Sequence, residues 1–372
     1  MAWRCVLVVV VAAAMGLASS PPAPEALLLK AKSLPCPPEA NILPCTCHAS
    51  TPYGMTLDCS LINTNDDLHR VFDTTFPFKN FQKFIIKHDP GSLDNKLTEI
   101  TKDTFHKITF VNVIIQGTQI QSIDENVFSY SHETLRQLDL RNNKINDFPF
   151  ESMVSYTELD TLLLDHNELP KLEKFSSASL VTLSIGNNPN LLFTFDVLEN
   201  IPKLENLNME GIGLRQIPQH MFINLTSIFT INFNDNDLTK LEEYTLDPPN
   251  TSVGRLLLAN NRIYTMLPDA LTGCQPDAII DLANNDVTEL TQNIWQPLLD
   301  QVLGGGNVYM TGNPLKCGCD MDWMFLNTST TVSADVYPPI LTDYTTCFDG
   351  TQVRFLDVCI FEKHCGSNSC VN

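Results

Sequence analysis

The cysteines are the residues of this sequence whose number and spacing most directly imply chemistry. There are 12 cysteines in 372 residues, and ten of them lie in two clusters near the ends of the chain. The clusters consist of Cys36, Cys45, Cys47 and Cys59, and of Cys317, Cys319, Cys347, Cys359, Cys365 and Cys370. Such clusters form either disulfides or a metal site, and His364 beside Cys365 makes zinc the metal to consider.

The N-terminus decides between these two chemistries. Arg4 precedes an apolar run from Cys5 to Ala14, and small residues follow up to Ser20, as in a secretory signal peptide. We assign residues 1–19 to this peptide and residues 20–35 to a linker. No later run approaches the roughly 18 apolar residues of a membrane-spanning helix. The protein is therefore predicted to be secreted and extracellular, with its clustered cysteines in disulfides and without a zinc ion.

Motifs for catalysis are absent from the sequence. It contains no HExxH, no GxSxG and no phosphate-binding glycine motif, so the chain is predicted to be non-catalytic and to need no cofactor. The formal charge is −20, from 43 acidic and 23 basic residues. This charge disfavours nucleic acid or an anionic membrane as a partner, and it also has a simple interpretation as solubility of a secreted protein.

A repeated pattern must position the remaining polar residues. Apolar residues recur at positions 1, 4, 6 and 11 of a unit of about 24 residues, usually with Asn at position 9. Units begin at Leu135, Leu159, Leu180, Leu204, Ile228, Val253 and Asp277, and related strands begin at Phe81, Phe110 and Asn307. This is the leucine-rich-repeat pattern. It predicts an α/β-type repeat solenoid, a horseshoe with a parallel concave sheet, over residues 63–312.

Two sets of residues are predicted to hold the repeats together. An Asn at position 9 can bond the exposed backbone groups of neighbouring turns. This column comprises Asn143, Asn167, Asn188, Asn236, Asn261 and Asn285, with Thr118 and Ile212 as replacements in two units. Apolar residues that follow each strand, such as Phe105, Phe128 and Phe222, are predicted to pack inside the convex wall.

The concave face is the predicted working surface. Strand periodicity sends Leu138 and Leu140 inward and Asp139 outward. Outward positions also carry apolar residues that have no core to enter and charged residues beside them. A partner protein is predicted to contact Ile114, Arg141, Leu163, Asp165, Glu210 and Leu257. The alternatives are surface aliphatics without a role, and a Ca²⁺ site at Asp139, Asp165 and Glu210. A rigid sheet rarely assembles the oxygen shell that Ca²⁺ needs, so no metal site is predicted.

Three glycan acceptors avoid these strands. They are Asn224, Asn250 and Asn327, each in an Asn-x-Ser/Thr sequence. Sugars at these positions would cover the back and edges of the solenoid and leave the concave face free.

The cysteine clusters explain how the solenoid ends. A solenoid exposes an apolar cross-section at each terminus, which disulfide-stapled caps cover in secreted repeat proteins. We predict caps at residues 36–62 and 313–372, with Trp323 over the end of the core. Cys274, outside both clusters in a segment expected to be convex, is predicted to be a buried free thiol rather than an intermolecular bridge.

The mature chain resembles a crustacean family of secreted leucine-rich-repeat proteins, the non-catalytic subunits of the Oplophorus-type shrimp luciferase, Oplophorus-luciferin 2-monooxygenase. The resemblance rests on CPPEANILPCTCHASTPYGMTLDCS from Cys36, on DDLHRVFDTTFPFKNFQKFIIKHDP from Asp66 and on NPLKCGCDMDW from Asn313. It implies an extracellular accessory protein whose partner, a small catalytic subunit, performs the oxidation. The alternative is a recognition protein of innate immunity or the matrix, because receptor ectodomains also have capped repeats.

Resemblance to known caps also implies how the cysteines pair, which spacing alone does not determine. Cys45 and Cys47 lie on the same side of an extended segment and should have different partners. The favoured pairs are Cys36 with Cys47, Cys45 with Cys59, Cys317 with Cys347, and Cys319 with either Cys365 or Cys359, the remaining one pairing with Cys370.

Overall fold

The computed structural model describes residues 36–51, 54–91, 95–325, 337–341 and 344–365. The predicted signal peptide, the linker, Asn327 and Cys370 lie outside these ranges. None of the helices within them has the length and hydropathy needed to cross a membrane.

The described strands form one long sheet and two small ones. In chain order they are β1 (Thr46–Thr51), β2 (Gly54–Asp58), β3 (Asn80–Lys87), β4 (Glu99–Ile100), β5 (Thr109–Gln116), β6 (Ser122–Ile123), β7 (Gln137–Asp139), β8 (Thr161–Leu163), β9 (Thr182–Ser184), β10 (Asn206–Asn208), β11 (Thr230–Asn232), β12 (Lys240–Leu241), β13 (Val253–Leu257), β14 (Thr265–Met266), β15 (Cys274–Asp281) and β16 (Asn307–Tyr309). Twelve of these strands form the long sheet, in the order β1-β2-β3-β5-β7-β8-β9-β10-β11-β13-β15-β16. Only β1 and β2 pair antiparallel, so the predicted parallel horseshoe is confirmed.

Helices are short and lie mostly in the caps. They are α1 (Glu39–Ile42), α2 (Asn65–Phe72), α3 (Gln292–Gln301), α4 (Asp322–Phe325), α5 (Tyr337–Ile340) and α6 (Val358–Cys365), with 3-10 turns at Ser129–Ser131, Phe150–Ser155 and Val353–Phe355. Thr64 caps α2, since its hydroxyl accepts a hydrogen bond from the Asp67 amide at 3.1 Å. The helix then buries Leu68, Val71 and Phe72 against the first repeats.

The core is continuous along the solenoid. Leu138 and Leu140 are 1% and 0% exposed, as the strand period requires. In the N-terminal repeats the convex side is filled by phenylalanines, and Phe105 lies within 5.3 Å, between ring centroids, of Phe72, Phe84, Phe110 and Phe128. Aromatic rings therefore join α2 to two successive repeats.

The predicted asparagine column is buried and bonded across repeats. Asn236 donates to the carbonyls of Phe233 in its own repeat and Met209 in the preceding one, at 3.0 and 2.9 Å. Its side-chain oxygen accepts from the amides of Ile212 and Leu214. The sequence pattern missed two members of this column. Asn313 is the first residue of the cap sequence, and Asn95 follows an insertion that changes its spacing from the preceding strand.

Asn236→Ala should lower the free energy of unfolding by about 1–3 kcal/mol, because the amides of Ile212 and Leu214 and the carbonyl of Met209 lose their hydrogen-bond partner inside the solenoid. Urea denaturation of both proteins gives the difference. Asn126→Ala is the control, since the exposed Asn126 side chain donates only to the neighbouring Glu125 carboxylate. Equal unfolding midpoints for Asn236→Ala and the native chain would contradict the proposed stabilising role.

A second column, at position 8, controls the direction of the chain. Backbone φ is positive at Asn142, His166, Asn187, Asp235, Asn260 and Asn284, and at Gly211 and Gly312 in the same place. This left-handed conformation turns the chain after each strand, and Asn, Asp and Gly tolerate it best. Gly117, at this position of its own repeat, is required for space as well, because a β-carbon there would lie 2.0 Å from the His88 carbonyl oxygen.

Disulfides close both ends of the sheet. The N-terminal cap contains Cys36–Cys47 and Cys45–Cys59, and the C-terminal cap contains Cys317–Cys347 and Cys319–Cys365. Cys359 is also disulfide-bonded. Trp323 covers the end of the core, where its indole N–H donates to the Leu290 carbonyl at 2.7 Å. The predicted disulfide-capped architecture is confirmed.

Cys274 is not on a convex segment, contrary to the sequence-based expectation. It begins β15, beside Val253 of β13, because this strand extends further toward its N-terminus than the repeat pattern indicates. The thiol is free and 2% exposed. Burial raises its pKa to about 12, so the thiol stays protonated and unreactive at neutral pH.

Candidate protein-binding surface

The concave face is a ladder of outward side chains in register from strand to strand. Its central column runs through Ile85, Ile114, Asp139, Leu163, Ser184, Asn208, Asn232, Leu257, Asp281 and Tyr309. Each is the neighbour of the next because every repeat places the same position at the same point of the sheet. The face therefore changes from apolar to polar and back along the solenoid.

An arginine–carboxylate pair lies near the N-terminal end of this column. Arg141 donates from Nε and Nη2 to the two carboxylate oxygens of Asp139, at 2.9 and 2.8 Å, and Gln116 donates to the same carboxylate at 2.8 Å. Burial acts to raise the pKa of Asp139, but these hydrogen bonds and the arginine charge outweigh it, so the pKa lies below its ordinary value. Asp139 therefore stays ionised and fixes the direction of Arg141.

A longer polar network occupies the middle of the face. Asp165 accepts from Ser184 Oγ at 2.5 Å, the Gly186 amide at 3.1 Å and Asn208 Nδ2 at 2.8 Å. A β-carbon at Gly186 would lie 3.1 Å from the Asp165 carboxylate, so glycine allows this close approach.

The network continues into the following repeats. Asn208 accepts from the Glu210 amide at 3.2 Å, and Asn232 donates to the Glu210 carboxylate at 2.9 Å. Asn234 accepts from the Ala259 amide at 2.8 Å. Because these side chains already orient one another, a partner would meet a prepared surface with little rotamer entropy left to lose.

Four of the six residues predicted to bind a partner are accessible on this face. Arg141, Leu163, Glu210 and Leu257 are half-buried, and Leu163 and Leu257 stand on either side of the polar centre of the column. They are separated by the strands that carry Ser184, Asn208 and Asn232. The accessible surface thus has two leucines with a polar stretch between them. Glu210 belongs to that stretch, and Arg141 follows β7, the strand beside Leu163 on its other side.

The expected exposure of Ile114 and Asp165 is wrong, since both are only 7% exposed. Strands about 4.8 Å apart on a concave sheet bring their outward side chains together, so short ones are covered by their neighbours. Ile114 lies between Ile85 and Asp139, and Asp165 lies beneath Ser184 and Asn208. These two residues support the face instead of offering contact area.

The acidic residues of the face hydrogen-bond to neighbouring side chains. Within the ranges that the structure describes, no group of three or more His, Cys, Asp or Glu side chains is arranged to hold a metal. The Asp139 carboxylate accepts hydrogen bonds from Arg141, and the Asp165 carboxylate accepts them from the Ser184 hydroxyl and the Asn208 side-chain amide. The carboxylates therefore orient neighbouring side chains.

Two glycan acceptors can be placed, and both are exposed outside the concave strands. Asn224 follows the buried Phe222, and Asn250 lies in the next repeat, where its Nδ2 donates to the Thr226 carbonyl at 3.2 Å. Neither residue belongs to the concave column. Their positions agree with a free inner face, and occupancy stays a prediction.

Comparison with known proteins identifies the repeats. A family model described as "Leucine rich repeat" matches residues 110–169. The Oplophorus-luciferin 2-monooxygenase non-catalytic subunit of Oplophorus gracilirostris is 28% identical over 333 residues, which are 89% of this chain and 88% of that protein. The resemblance found in the sequence is confirmed, and the expectation of a non-catalytic chain agrees with the name of this relative.

Other similar proteins match only in part. Toll-like receptor 6 of Dasypus novemcinctus is 27% identical over 55% of this chain and 25% of its own length. Tsukushi of Gallus gallus is 26% identical over 53% of this chain and 52% of its own. A chain of the octameric complex of Latrophilin 3, Unc5D and FLRT2 (LRR) superposes with a TM-score of 0.63 at 20% identity, covering 84% of this chain and 97% of that one. This likeness shows the fold, a disulfide-capped leucine-rich-repeat solenoid.

Proposed function

We propose that this leucine-rich-repeat protein is a secreted, non-catalytic accessory subunit that holds and stabilises a small luciferase-type monooxygenase on its concave face. The observation that carries the proposal is the relationship to the Oplophorus gracilirostris subunit, which extends over nearly nine tenths of both chains. Similarity of that extent goes beyond a shared repeat pattern, since the other relatives described above match in part. The disulfide-bonded caps support an extracellular location.

The concave face indicates what the partner must offer. Leu163 and Leu257 require apolar side chains opposite them, and the polar centre between them requires a hydrogen-bond donor for Glu210. Arg141 is held by Asp139 and presents its remaining N–H groups to an acceptor. A partner with two apolar contacts around a basic segment fits this arrangement.

Leu163→Asp should weaken binding of the partner by about 2 kcal/mol or more, roughly 30-fold in Kd, because it puts a charge into one of the two apolar contacts of the interface. Val154→Asp is the matched control, since Val154 is 62% exposed in the 3-10 turn that precedes β8. Surface plasmon resonance with the immobilised partner measures both variants. Equal affinity for Leu163→Asp and the native protein would place the interface elsewhere.

The partner itself can be identified by copurification from the native secretion. The proposal expects a small oxidase to remain bound through gel filtration and to lose activity faster when this chain is removed. Retention of glycan or microbial surface material instead would favour the second candidate function, extracellular recognition. The partial similarity to Toll-like receptor 6 is the observation that supports that candidate.

A further inference from the structure

A cleft outside the concave face combines features of a ligand site. It has a volume of about 520 Å³. It lies where three segments meet, each of which precedes a strand of the long sheet. These segments are the end of α2 with the turn after it, the loop between β4 and β5, and the 3-10 turn before β7. Its volume is in the range of sites that bind small molecules. None of its lining residues belongs to the central concave column.

The charge of this cleft is opposite to that of the protein. Lys79, Lys102 and Lys107 line it, and none of the three has a carboxylate within 4.0 Å among the described residues. Some other lysines are paired across repeats, as in Lys144 with Glu168 and Lys316 with Glu289. The cleft thus brings three ammonium groups together in a chain of net charge −20.

The two acidic residues of the cleft do not cancel this charge. Asp73 is engaged by His106, whose Nε2 lies 3.0 Å from the carboxylate, which leaves Asp103 as the second acidic group. The local balance therefore favours a ligand that carries negative charge. A long polyanion is disfavoured by repulsion from the rest of the chain, so the ligand should be short.

The walls indicate what else the ligand must have. Phe72, Phe76 and Ile108 form an apolar floor and are 2%, 6% and 4% exposed. Tyr130 is 53% exposed at the rim, and Thr75, another residue of the lining, is also exposed. A ring with one apolar side and several hydroxyl groups can pack on the tyrosine while donating and accepting at its edges.

We propose that this cleft binds a short acidic oligosaccharide, with sulfate or carboxylate groups on Lys79, Lys102 and Lys107 and a sugar ring against Tyr130. Sulfate and carboxylate share the chemistry that the lysines recognise, and the experiment separates them. The site is independent of the concave interface, because it uses other residues, from segments that precede the strands.

The test is isothermal titration of the full-length secreted protein with two probes, a heparin-derived sulfated tetrasaccharide and an unsulfated oligogalacturonate, at roughly 50 mM ionic strength. Binding of one probe identifies the anionic group. Lys102→Gln/Lys107→Gln should weaken it at least ten-fold, whereas Lys203→Gln/Arg215→Gln, which removes the same charge at exposed positions outside the cleft, should change it less than two-fold.

Tyr130→Ala supplies a second readout, because it leaves the charge intact and should weaken the oligosaccharide at least three-fold without changing the response to inorganic sulfate. The proposal is overturned if neither probe binds, if both double variants lose affinity equally, or if an acidic peptide binds while both oligosaccharides do not. An unchanged far-UV circular dichroism spectrum confirms that each variant is folded.

Discussion

Phe105→Ala is expected to destabilise the protein by about 3–5 kcal/mol, because it removes a fully buried ring and leaves a cavity that the fold cannot close. The Phe105 ring contacts four others, with centroid distances of 4.9 Å to Phe72, 5.1 Å to Phe84 and 5.3 Å to both Phe110 and Phe128. These rings belong to α2 and to two successive repeats. The loss should therefore loosen the N-terminal cap as well as the site of substitution.

Urea unfolding followed by circular dichroism measures this change. Phe348→Ala is the matched control, since the Phe348 side chain is 82% exposed on the C-terminal cap and its removal should cost less than about 0.5 kcal/mol. A Phe105→Ala variant within roughly 1 kcal/mol of the native protein would show that the aromatic cluster is not a packed core.

Removal of the Cys317–Cys347 disulfide, by Cys317→Ser/Cys347→Ser, should cost about 2–5 kcal/mol and release the C-terminal cap. The bond closes a loop with a sequence separation of 30 residues. The disulfide lies beside an isolated β-bridge between Leu315 and Cys347. Next to it, the Phe348 amide donates a hydrogen bond to the Leu315 carbonyl at 2.7 Å. Without the bond, Leu315 and the apolar end of the last repeat become accessible to water.

Hydrogen exchange locates the effect. Amides of residues 315–348 that the structure describes should lose protection, while those of the central repeats keep theirs. Cys274→Ala is the control because Cys274 is buried but forms no disulfide, so it changes the core without changing the cap. Unaltered protection around Leu315 in the double variant would contradict the proposed role of this disulfide.

The register of the repeats follows from the sequence because each unit repeats the same local rule. Alternation at Leu138, Asp139 and Leu140 fixes which side chains enter the core, and the Asn236 position fixes where the chain turns. These are properties of the strand period and of backbone groups that need partners, so they require no knowledge of distant contacts. The Asn95 member was missed because an insertion separates it from its strand.

Exposure on the concave face was decided by tertiary structure. Ile114, Asp139 and Asp165 point toward that face as predicted, yet all three are covered. The residues that cover them come from other repeats. Gln116 covers Asp139 from 23 residues away in sequence, and Asn208 covers Asp165 from 43 residues away. The depth of a side chain depends on the length and direction of those neighbours, which no single repeat encodes.

The same distinction applies to the two candidate sites. Sequence alone determined a capped leucine-rich-repeat solenoid and the columns of its concave sheet, because a recurring unit of constant geometry places equivalent residues side by side. It did not bring Lys79, Lys102 and Tyr130 together, since these residues come from loops whose lengths and conformations differ between repeats. The cleft forms only when α2 and two loops of the first repeats pack against one another. Its walls come from segments that are far apart in the chain, so only the tertiary structure brings them together.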